Sequence, residues 1–129
     1  MNKKDARILV VDDSDFSRKE ISKYLEAANL NVVGEASSAK EATNFIKDRH
    51  VDIAIVDIVM PEISGLELTE FIVENNPDTA VICISSLAQE NIVMEAISAG
   101  ASDFIQKPIK QEQLLESIYK LLSNGFDNL

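Results

Sequence analysis

The sequence is poor in the features that define several classes of protein. Its 129 residues contain one cysteine, Cys83, so the chain has neither a disulfide framework nor a cysteine-based metal cluster. No apolar run approaches the ~20 residues of a membrane-spanning helix, and the first residues lack the pattern of a signal peptide. These absences predict a cytoplasmic protein that does not bind membranes, in which Cys83 is a small buried side chain.

Positive charge is also scarce. Twelve Lys and Arg stand against 22 Asp and Glu, which leaves a net charge of −10. Direct nucleic-acid binding needs a basic surface that displaces phosphate counterions, so we expect none here. Repeats and low-complexity stretches are missing as well. We therefore expect one domain over residues 1–129, with residues 123–129 as a C-terminal tail or the start of a linker.

Five short apolar runs alternate with helical patterns along the chain. The runs are RILVVDD, NVVGEAS, VDIAIVD, TAVICISS and SDFIQKP. Apolar runs without polar alternation predict strands that are buried on both faces, and hence a parallel sheet covered by helices. The order along the chain predicts an α/β doubly wound fold with five strands and five helices.

Local signals place the five helices. We expect helices over Ser14–Ala28, from Ser38, from Ser64, over Ala88–Ala99 and over Gln111–Leu122. Apolar residues recur at helical spacing in the first of them, and the S-x-x-E spacing of a capping box begins the second and third. Glycines follow the last two helices, and we expect Gly100 and Gly125 to end them.

The predicted strands end in polar residues that a buried core does not explain. Asp12 and Asp13 follow the first strand, Asp57 ends the third, Ser85 ends the fourth and Lys107 follows the fifth. Ligands of such folds bind beyond the carboxyl ends of the strands, so we expect these side chains to lie close together. Each close pair of carboxylates would repel by about 4 kcal/mol at an effective dielectric constant of ~20.

A divalent cation and the lysine would relieve that repulsion. Oxygen ligands favour Mg²⁺, held by the three aspartates, and Lys107 supplies a second positive charge. Two cations and the Ser85 hydroxyl around a carboxylate suit a phosphoryl group, whose transfer depends on positioning and charge neutralisation. Asp57 is then the predicted nucleophile, and its product is an acyl phosphate.

These motifs and their spacing resemble the receiver domains of two-component response regulators, and among them the single-domain, CheY-like chemotaxis type. The resemblance rests on ILVVDDS, VDIVMPEISGLEL, CISS and AGASDFIQKP, and it covers Ile8 to Leu122. It implies the strand order 2-1-3-4-5 and a phosphorylation-activated signalling switch. It also implies that Asp57 accepts phosphate from a histidine kinase or a phosphotransfer protein.

The resemblance assigns the metal ligands, and the side chain of Val59 predicts the lifetime of the phosphoryl group. Asp13 binds Mg²⁺ directly, Asp12 binds it largely through water, and Asp57 and the backbone carbonyl of Val59 complete the set. The apolar side chain of Val59 should overhang the approach of water to phosphorylated Asp57. We therefore expect a protein that is not an enzyme in the usual sense, because it catalyses only its own phosphorylation and slow autodephosphorylation.

Further roles follow from the same resemblance. Ser85 and Lys107 bind phosphate oxygens, and Ser85 forms the switch together with Phe104, which stands where a tyrosine would offer a hydroxyl. The Lys107–Pro108 peptide is expected to be cis. Gly65 matches the glycine that allows the loop after the third strand to turn.

The resemblance also implies an output surface. The fourth helix, fifth strand and fifth helix should form the face that binds a downstream protein, whose identity the sequence does not give. Lys120 is the one basic residue of the fifth helix over residues 111–122. Because regulators that dimerise through this face usually carry more charge there, we expect a monomer or a weak phosphorylation-dependent dimer.

Several alternatives share part of this pattern. The chain could be the N-terminal receiver domain of a multidomain regulator whose output domain is missing. A flavodoxin-like FMN-binding protein has the same fold but needs a phosphate loop rich in Ser, Thr and Gly, where this chain has DDSDFS. A hydrolase with an aspartate nucleophile needs a second Asp where this chain has Val59. A degenerate receiver that only binds partners would not need all five site residues.

Two residues outside these motifs have open interpretations. Phe16 is either a hydrophobic staple against a neighbouring loop or a docking point for the phosphodonor, next to Arg18 and Lys19. His50 is expected to be a solvated loop residue.

Overall fold

Strands and helices alternate throughout residues 5–126, the part of the chain that the computed structural model describes. The strands are β1 (Arg7–Val11), β2 (Asn31–Ala36), β3 (Ile53–Asp57), β4 (Ala80–Ser85) and β5 (Asp103–Gln106). The helices are α1 (Asp15–Ala27), α2 (Ala39–Asp48), α3 (Gly65–Asn75), α4 (Glu90–Ser98) and α5 (Gln111–Phe126).

The five strands form one parallel sheet in the order β2-β1-β3-β4-β5. Both the doubly wound fold and the strand order predicted above are therefore confirmed. The central strand, β3, is buried along its whole length. Its last residue, Asp57, consequently lies between the carboxyl ends of β1 and β4.

The sheet separates two hydrophobic cores. Because alternate residues of a strand point to opposite faces, Ile8 and Val10 pack with α1 and α5, whereas Leu9 and Val11 pack with α2 and α3. Helices cover both faces, which explains why the strands show no polar alternation. No helix within residues 5–126 is long and apolar enough to cross a membrane.

Serine side chains begin three helices at the predicted positions. The hydroxyls of Ser14, Ser38 and Ser64 each accept the backbone N–H three residues later, at 3.1–3.2 Å. Glu41 departs from an ideal capping box, since its carboxylate binds the hydroxyl and the N–H of Ser37 instead of the cap residue. α4 begins two residues later than predicted and has no side-chain cap.

The two helix ends predicted from glycines differ in outcome. Gly100 follows α4 with φ at 109°, a left-handed conformation that side chains rarely adopt, so this prediction is confirmed. The predicted end of α5 before Gly125 is wrong, because the helix continues to Phe126. Glycine inside a helix costs only about 1 kcal/mol relative to alanine. Residues 123–126 of the expected tail are thus helical, and residues 127–129 lie outside the described part.

Candidate functional site

Asp12, Asp57 and Lys107 meet at the carboxyl edge of the sheet. The Nζ atom of Lys107 lies 2.9 Å from Oδ2 of Asp12 and 3.2 Å from Oδ2 of Asp57. Asp12 is fully buried and Asp57 is 5% exposed, while the lysine side chain is 21% exposed. One ammonium group therefore serves two carboxylates that solvent barely reaches.

The surroundings of Asp57 disfavour the ionised form of its carboxyl group. Burial raises its pKa from 3.8 to about 6; the charge of Asp12 adds to the rise, and Lys107 opposes it. The backbone N–H of Val59 donates to Oδ1 at 3.2 Å, which favours the ionised form weakly. A further cation beside Asp57 would therefore stabilise its ionised, nucleophilic form.

Lys107 keeps its positive charge in this setting. Burial alone would lower its pKa, but the hydrogen bonds and charges of Asp12 and Asp57 outweigh burial and raise the pKa above its usual 10.5. Its backbone N–H donates to the carbonyl of Ser85 at 2.9 Å, which joins the end of β5 to β4. The Lys107–Pro108 peptide is cis, as the resemblance implies.

Arg18 and Ser14 hold the loop that follows β1. The backbone N–H of Ser14 donates to Oδ1 of Asp12 at 2.9 Å. Arg18 donates from Nη1 to the backbone oxygen of Asp12 at 2.9 Å, from Nε to Glu35 at 3.0 Å, and from Nη2 to Asp15. With a side chain only 12% exposed, Arg18 links the end of β1 to α1 and β2.

Asp12, Asp13 and Asp57 form a group that fits a divalent cation. One carboxylate oxygen of each lies within 4.8 Å of the others, and the exposed Asp13 opens the group to solvent. Three carboxylates against a single lysine leave an excess of negative charge. The oxygen donors are of the kind that Mg²⁺ prefers. The residues present therefore fit Mg²⁺.

Gly65 holds the loop after β3 against the sheet. Its backbone N–H donates to the carbonyl of Ile58 at 2.8 Å. A Cβ atom at this position would lie 2.1 Å from the backbone oxygen of Asp57, so any side chain would force the loop apart from the strand. In the same loop the side chain of Val59 is 54% exposed, next to the carboxylate that its own N–H contacts.

Ser85 and Phe104 lie on the other side of the site. The buried hydroxyl of Ser85 accepts the N–H of Leu87 at 3.0 Å, which ties β4 to the loop before α4. Phe104 is half-buried and packs against the core next to α4. It pairs with Cys83 of β4. Cys83 is buried as predicted, and burial raises the pKa of its thiol to about 11.

Comparison with known proteins identifies the family. Residues 8–119 match the family model described as the response regulator receiver domain. The chain belongs to this family. The receiver is 36% identical over 115 residues to the chemotaxis protein CheY of Thermotoga maritima, an alignment that covers 89% of this chain and 96% of that protein. It is 37% identical over 117 residues to CheY of Bacillus subtilis, covering 91% and 98%.

A solved structure adds to these relatives. The CheX–CheY–BeF3–Mg²⁺ complex from Borrelia burgdorferi contains a chain that is 29% identical to this receiver, with a TM-score of 0.87 and coverage of 91% and 89%. A phosphorylation switch is the general function of the family, and its receiver domains generally bind Mg²⁺. Family membership decides against the flavodoxin-like and hydrolase alternatives.

Sequence reasoning missed part of this receiver. It treats Arg18 as a surface residue beside Phe16, whereas the guanidinium is largely buried and bound to three groups. Phe16 is 77% exposed, so the hydrophobic-staple interpretation is wrong. No sequence motif marks Arg18. Its position one helical turn after the Ser14 cap is the only available signal.

His50 is exposed in a loop, as predicted, but it also has a buried partner. Its Nε2 lies 2.7 Å from Oδ1 of Asp52, a buried carboxylate at the amino edge of the sheet. The Nε of Arg7 donates to the backbone oxygen of His50 at 2.8 Å. These three residues form a second polar cluster, at the edge opposite the candidate site. The Asp at the start of VDIAIVD was the signal for it.

Proposed function

We propose that this receiver is a two-component switch in which Asp57 accepts a phosphoryl group beside a bound Mg²⁺. The observation that carries the proposal is the setting of Asp57, a buried carboxylate 3.2 Å from Lys107 and grouped with Asp12 and Asp13. The donor is the phosphohistidine of a histidine kinase or of a phosphotransfer protein. The family's general function supports this choice of reaction.

The reaction is a nucleophilic displacement at phosphorus. A carboxylate oxygen of Asp57 attacks, a phosphorus–oxygen bond forms, the phosphorus–nitrogen bond breaks, and the leaving imidazole takes up a proton. Lys107 and the Ser85 hydroxyl bind phosphoryl oxygens and stabilise their charge. Asp12, Asp13, Asp57 and the backbone carbonyl of Val59 would hold Mg²⁺, which would supply the remaining charge neutralisation.

Activation is a shift between two populations of one fold. The phosphoryl group adds roughly −1.5 to −2 charge and draws the Ser85 hydroxyl away from the N–H of Leu87. The space that opens is taken by the ring of Phe104, which has no hydroxyl that burial would leave unpaired. The face formed by α4, β5 and α5 then changes shape and alters the binding of a downstream protein.

The association state of the receiver follows from the same face. Lys120 is the one basic residue of α5. A symmetric contact through this face would bring few opposite charges together, so its contribution to dimer stability is small. The receiver therefore works as a monomer, or as a weak dimer once it is phosphorylated.

Incubation with acetyl phosphate and Mg²⁺ tests the reaction and the switch together. Intact-mass spectrometry should find one added phosphoryl group on the wild type and on the control variant Asp52→Asn, and none on Asp57→Asn. Amide chemical shifts of the phosphorylated wild type should change along α4, β5 and α5. A phosphoryl group on any residue other than Asp57, or shift changes confined to α1, would contradict the proposal.

A further inference from the structure

A groove runs between α3 and α4, and it shares α4 with the face proposed for output. Its volume is about 400 Å³, and its lining consists of Leu66, Glu70, Met94, Glu95, Ser98 and Ala99. Met94 is 61% exposed at the rim, and Ile97, three residues further along α4, is 50% exposed. Met94 thus gives the groove an exposed apolar rim, and Ile97 adds a second exposed apolar side chain to the same helix.

The surface around this groove has charge of one sign. Residues 51–106 contain ten Asp and Glu and no Lys, Arg or His, so this segment alone accounts for the net charge of −10. On α3 the exposed acids Glu67, Glu70 and Glu74 follow one another at helical spacing, and Glu90 and Glu95 lie on α4. None of these five forms an ion pair within residues 5–126.

These two properties act on different parts of a binding partner. Exposed Met94 and the wall formed by Leu66 and Ala99 favour an apolar side chain that inserts between the helices, and methionine adapts its shape to such a guest. Glu70 and Glu95 line the same groove and favour cations at the edge of that apolar contact. An apolar stripe flanked by cations is the pattern of a basic amphipathic helix.

We propose that the α3–α4 groove binds an amphipathic helix of a protein partner that carries Lys or Arg beside its apolar stripe. A second copy of this chain is a poor occupant when the same groove faces itself, because the glutamates would oppose one another. Although the groove shares α4 with the proposed output face, peptide binding to it is measured on the unphosphorylated protein. The proposal therefore stands or falls independently of the function proposed above.

A designed peptide provides the probe. It has about 18 residues, enough to populate a helix, with Leu at positions i, i+3, i+4 and i+7 and Lys on both sides of that stripe. Two control peptides accompany it: a scrambled sequence of the same composition, and one with Glu in place of Lys. Titration into the unphosphorylated protein, followed by amide chemical shifts, should move residues of α3 and α4. The scrambled peptide should bind at least about tenfold more weakly.

Matched variants separate the groove from general attraction to an acidic protein. The double substitution Glu70→Lys with Glu95→Lys should weaken peptide binding about tenfold or more. The control, Glu112→Lys with Glu116→Lys on exposed positions of α5, changes net charge equally and should alter binding less than about twofold. Met94→Gln, which keeps the charge and removes the apolar anchor, should also weaken binding. Circular dichroism should show that each variant is folded.

Three results would overturn the proposal. The first is equal binding of the scrambled peptide, which would mean attraction by net charge alone. The second is an equal loss of affinity in both charge-reversal variants, or shift changes that lie outside α3 and α4. The third is concentration-dependent self-association in sedimentation that Met94→Gln abolishes, because the groove would then be occupied by a second copy.

Discussion

Asp52 and Asp57 are buried carboxylates at the two ends of β3, yet their surroundings are opposite. Asp52 accepts the backbone N–H of Arg7 with Oδ2 at 2.8 Å, and its Oδ1 lies 2.7 Å from Nε2 of His50. Asp57 shares a single lysine with a second carboxylate. The difference shows that burial alone does not identify a reactive acid. A buried charge with too few partners is a better indication of a functional acid.

The backbone around Asp52 strengthens this contrast. Its N–H donates to the carbonyl of Arg7 at 2.8 Å, and its carbonyl accepts the N–H of Ala80 at 2.9 Å. Next to it, the hydroxyl of Thr79 donates to the carbonyl of Val51 at 2.6 Å. The amino edge of β1, β3 and β4 is therefore closed by internal hydrogen bonds, whereas at the carboxyl edge two carboxylates share Lys107.

The largest expected effect concerns the carboxyl edge of the sheet, where Asp12, Asp13 and Asp57 lie. Asp13→Ala should abolish phosphorylation by acetyl phosphate, because the exposed carboxylate that completes the Mg²⁺ group is lost while the buried core is untouched. Intact-mass spectrometry provides the measurement. Asp78→Ala, an exposed acid far from this edge, is the matched control and should be phosphorylated normally. Normal phosphorylation of Asp13→Ala would show that the metal assignment is wrong.

The next largest effect concerns the amino edge of the sheet, where Asp52 lies. Asp52→Ala should lower the free energy of unfolding by about 3 kcal/mol, because the N–H of Arg7 and the ring of His50 lose a charged acceptor. Urea denaturation followed by circular dichroism measures this. Asp48→Ala, an exposed acid of α2, should change stability by no more than about 0.5 kcal/mol. A similar small change for Asp52→Ala would mean that the cluster with Arg7 and His50 is not structural.

A smaller effect concerns access of water to phosphorylated Asp57 at the carboxyl edge of the sheet. Val59 cannot hydrogen-bond a water, whereas asparagine at this position can orient one toward the phosphorus opposite Asp57. Val59→Asn should therefore speed loss of the phosphoryl group by about 10–100-fold, which is below the range of full general acid–base catalysis. The decay of both phosphorylated proteins is compared at the same Mg²⁺ concentration, with Val59→Ala as a control for size. Equal or slower decay of Val59→Asn would remove Val59 from control of the lifetime.

The smallest effect is a gain in stability that depends on pH. Since the pKa of Asp57 is about 6 in the folded state and 3.8 as the ordinary value, ionisation of Asp57 disfavours the folded state. That penalty is absent below pH 3.8 and grows until the pH exceeds 6. In EDTA at pH 7, Asp57→Asn should raise the free energy of unfolding by about 1–2 kcal/mol, allowing for solvent at the rim.

The pH dependence of the gain in stability serves as a control for the Asp57→Asn substitution. Its gain in stability should shrink toward zero as the pH falls to about 4, whereas a general improvement in packing would persist. Urea denaturation at both pH values distinguishes the two. Addition of Mg²⁺ should stabilise the wild type more than Asp57→Asn, because the variant lacks one ligand. No gain at pH 7 would mean that Asp57 is better compensated than its contacts indicate.

Much of the fold was predictable because its signals are local. Strands buried on both faces need continuous apolar runs, and a side chain that accepts an N–H marks several helix starts, as Ser38 and Ser64 do. The end of α5 was not predictable from Gly125, because a weak local preference there competes with the rest of a well-packed helix. Local helix propensity sets the end of a helix only where the packing of that helix does not outweigh it.

The candidate site also has some parts that the sequence predicts and others that it does not. The grouping of Asp12, Asp57 and Lys107 follows from parallel strands that end together, so the sequence order was sufficient. The roles of Arg18 and Asp52 depend on contacts between segments distant along the chain, from Arg18 to Glu35 and from Asp52 to Arg7. No periodicity or motif records such contacts, and only the packed structure brings them together.

The close contact at Gly65 limits how far the start of α3 can move relative to Asp57. The start of α3 rests directly on the backbone of Asp57, where even one added carbon would be 2.1 Å from the carbonyl oxygen. On the opposite side, the N–H of Leu87 in the loop before α4 donates to the hydroxyl of Ser85 at the end of β4. We therefore expect a change at Asp57 to displace the loop before α4 more readily than the start of α3, because α3 is in close contact with the backbone of Asp57 at Gly65.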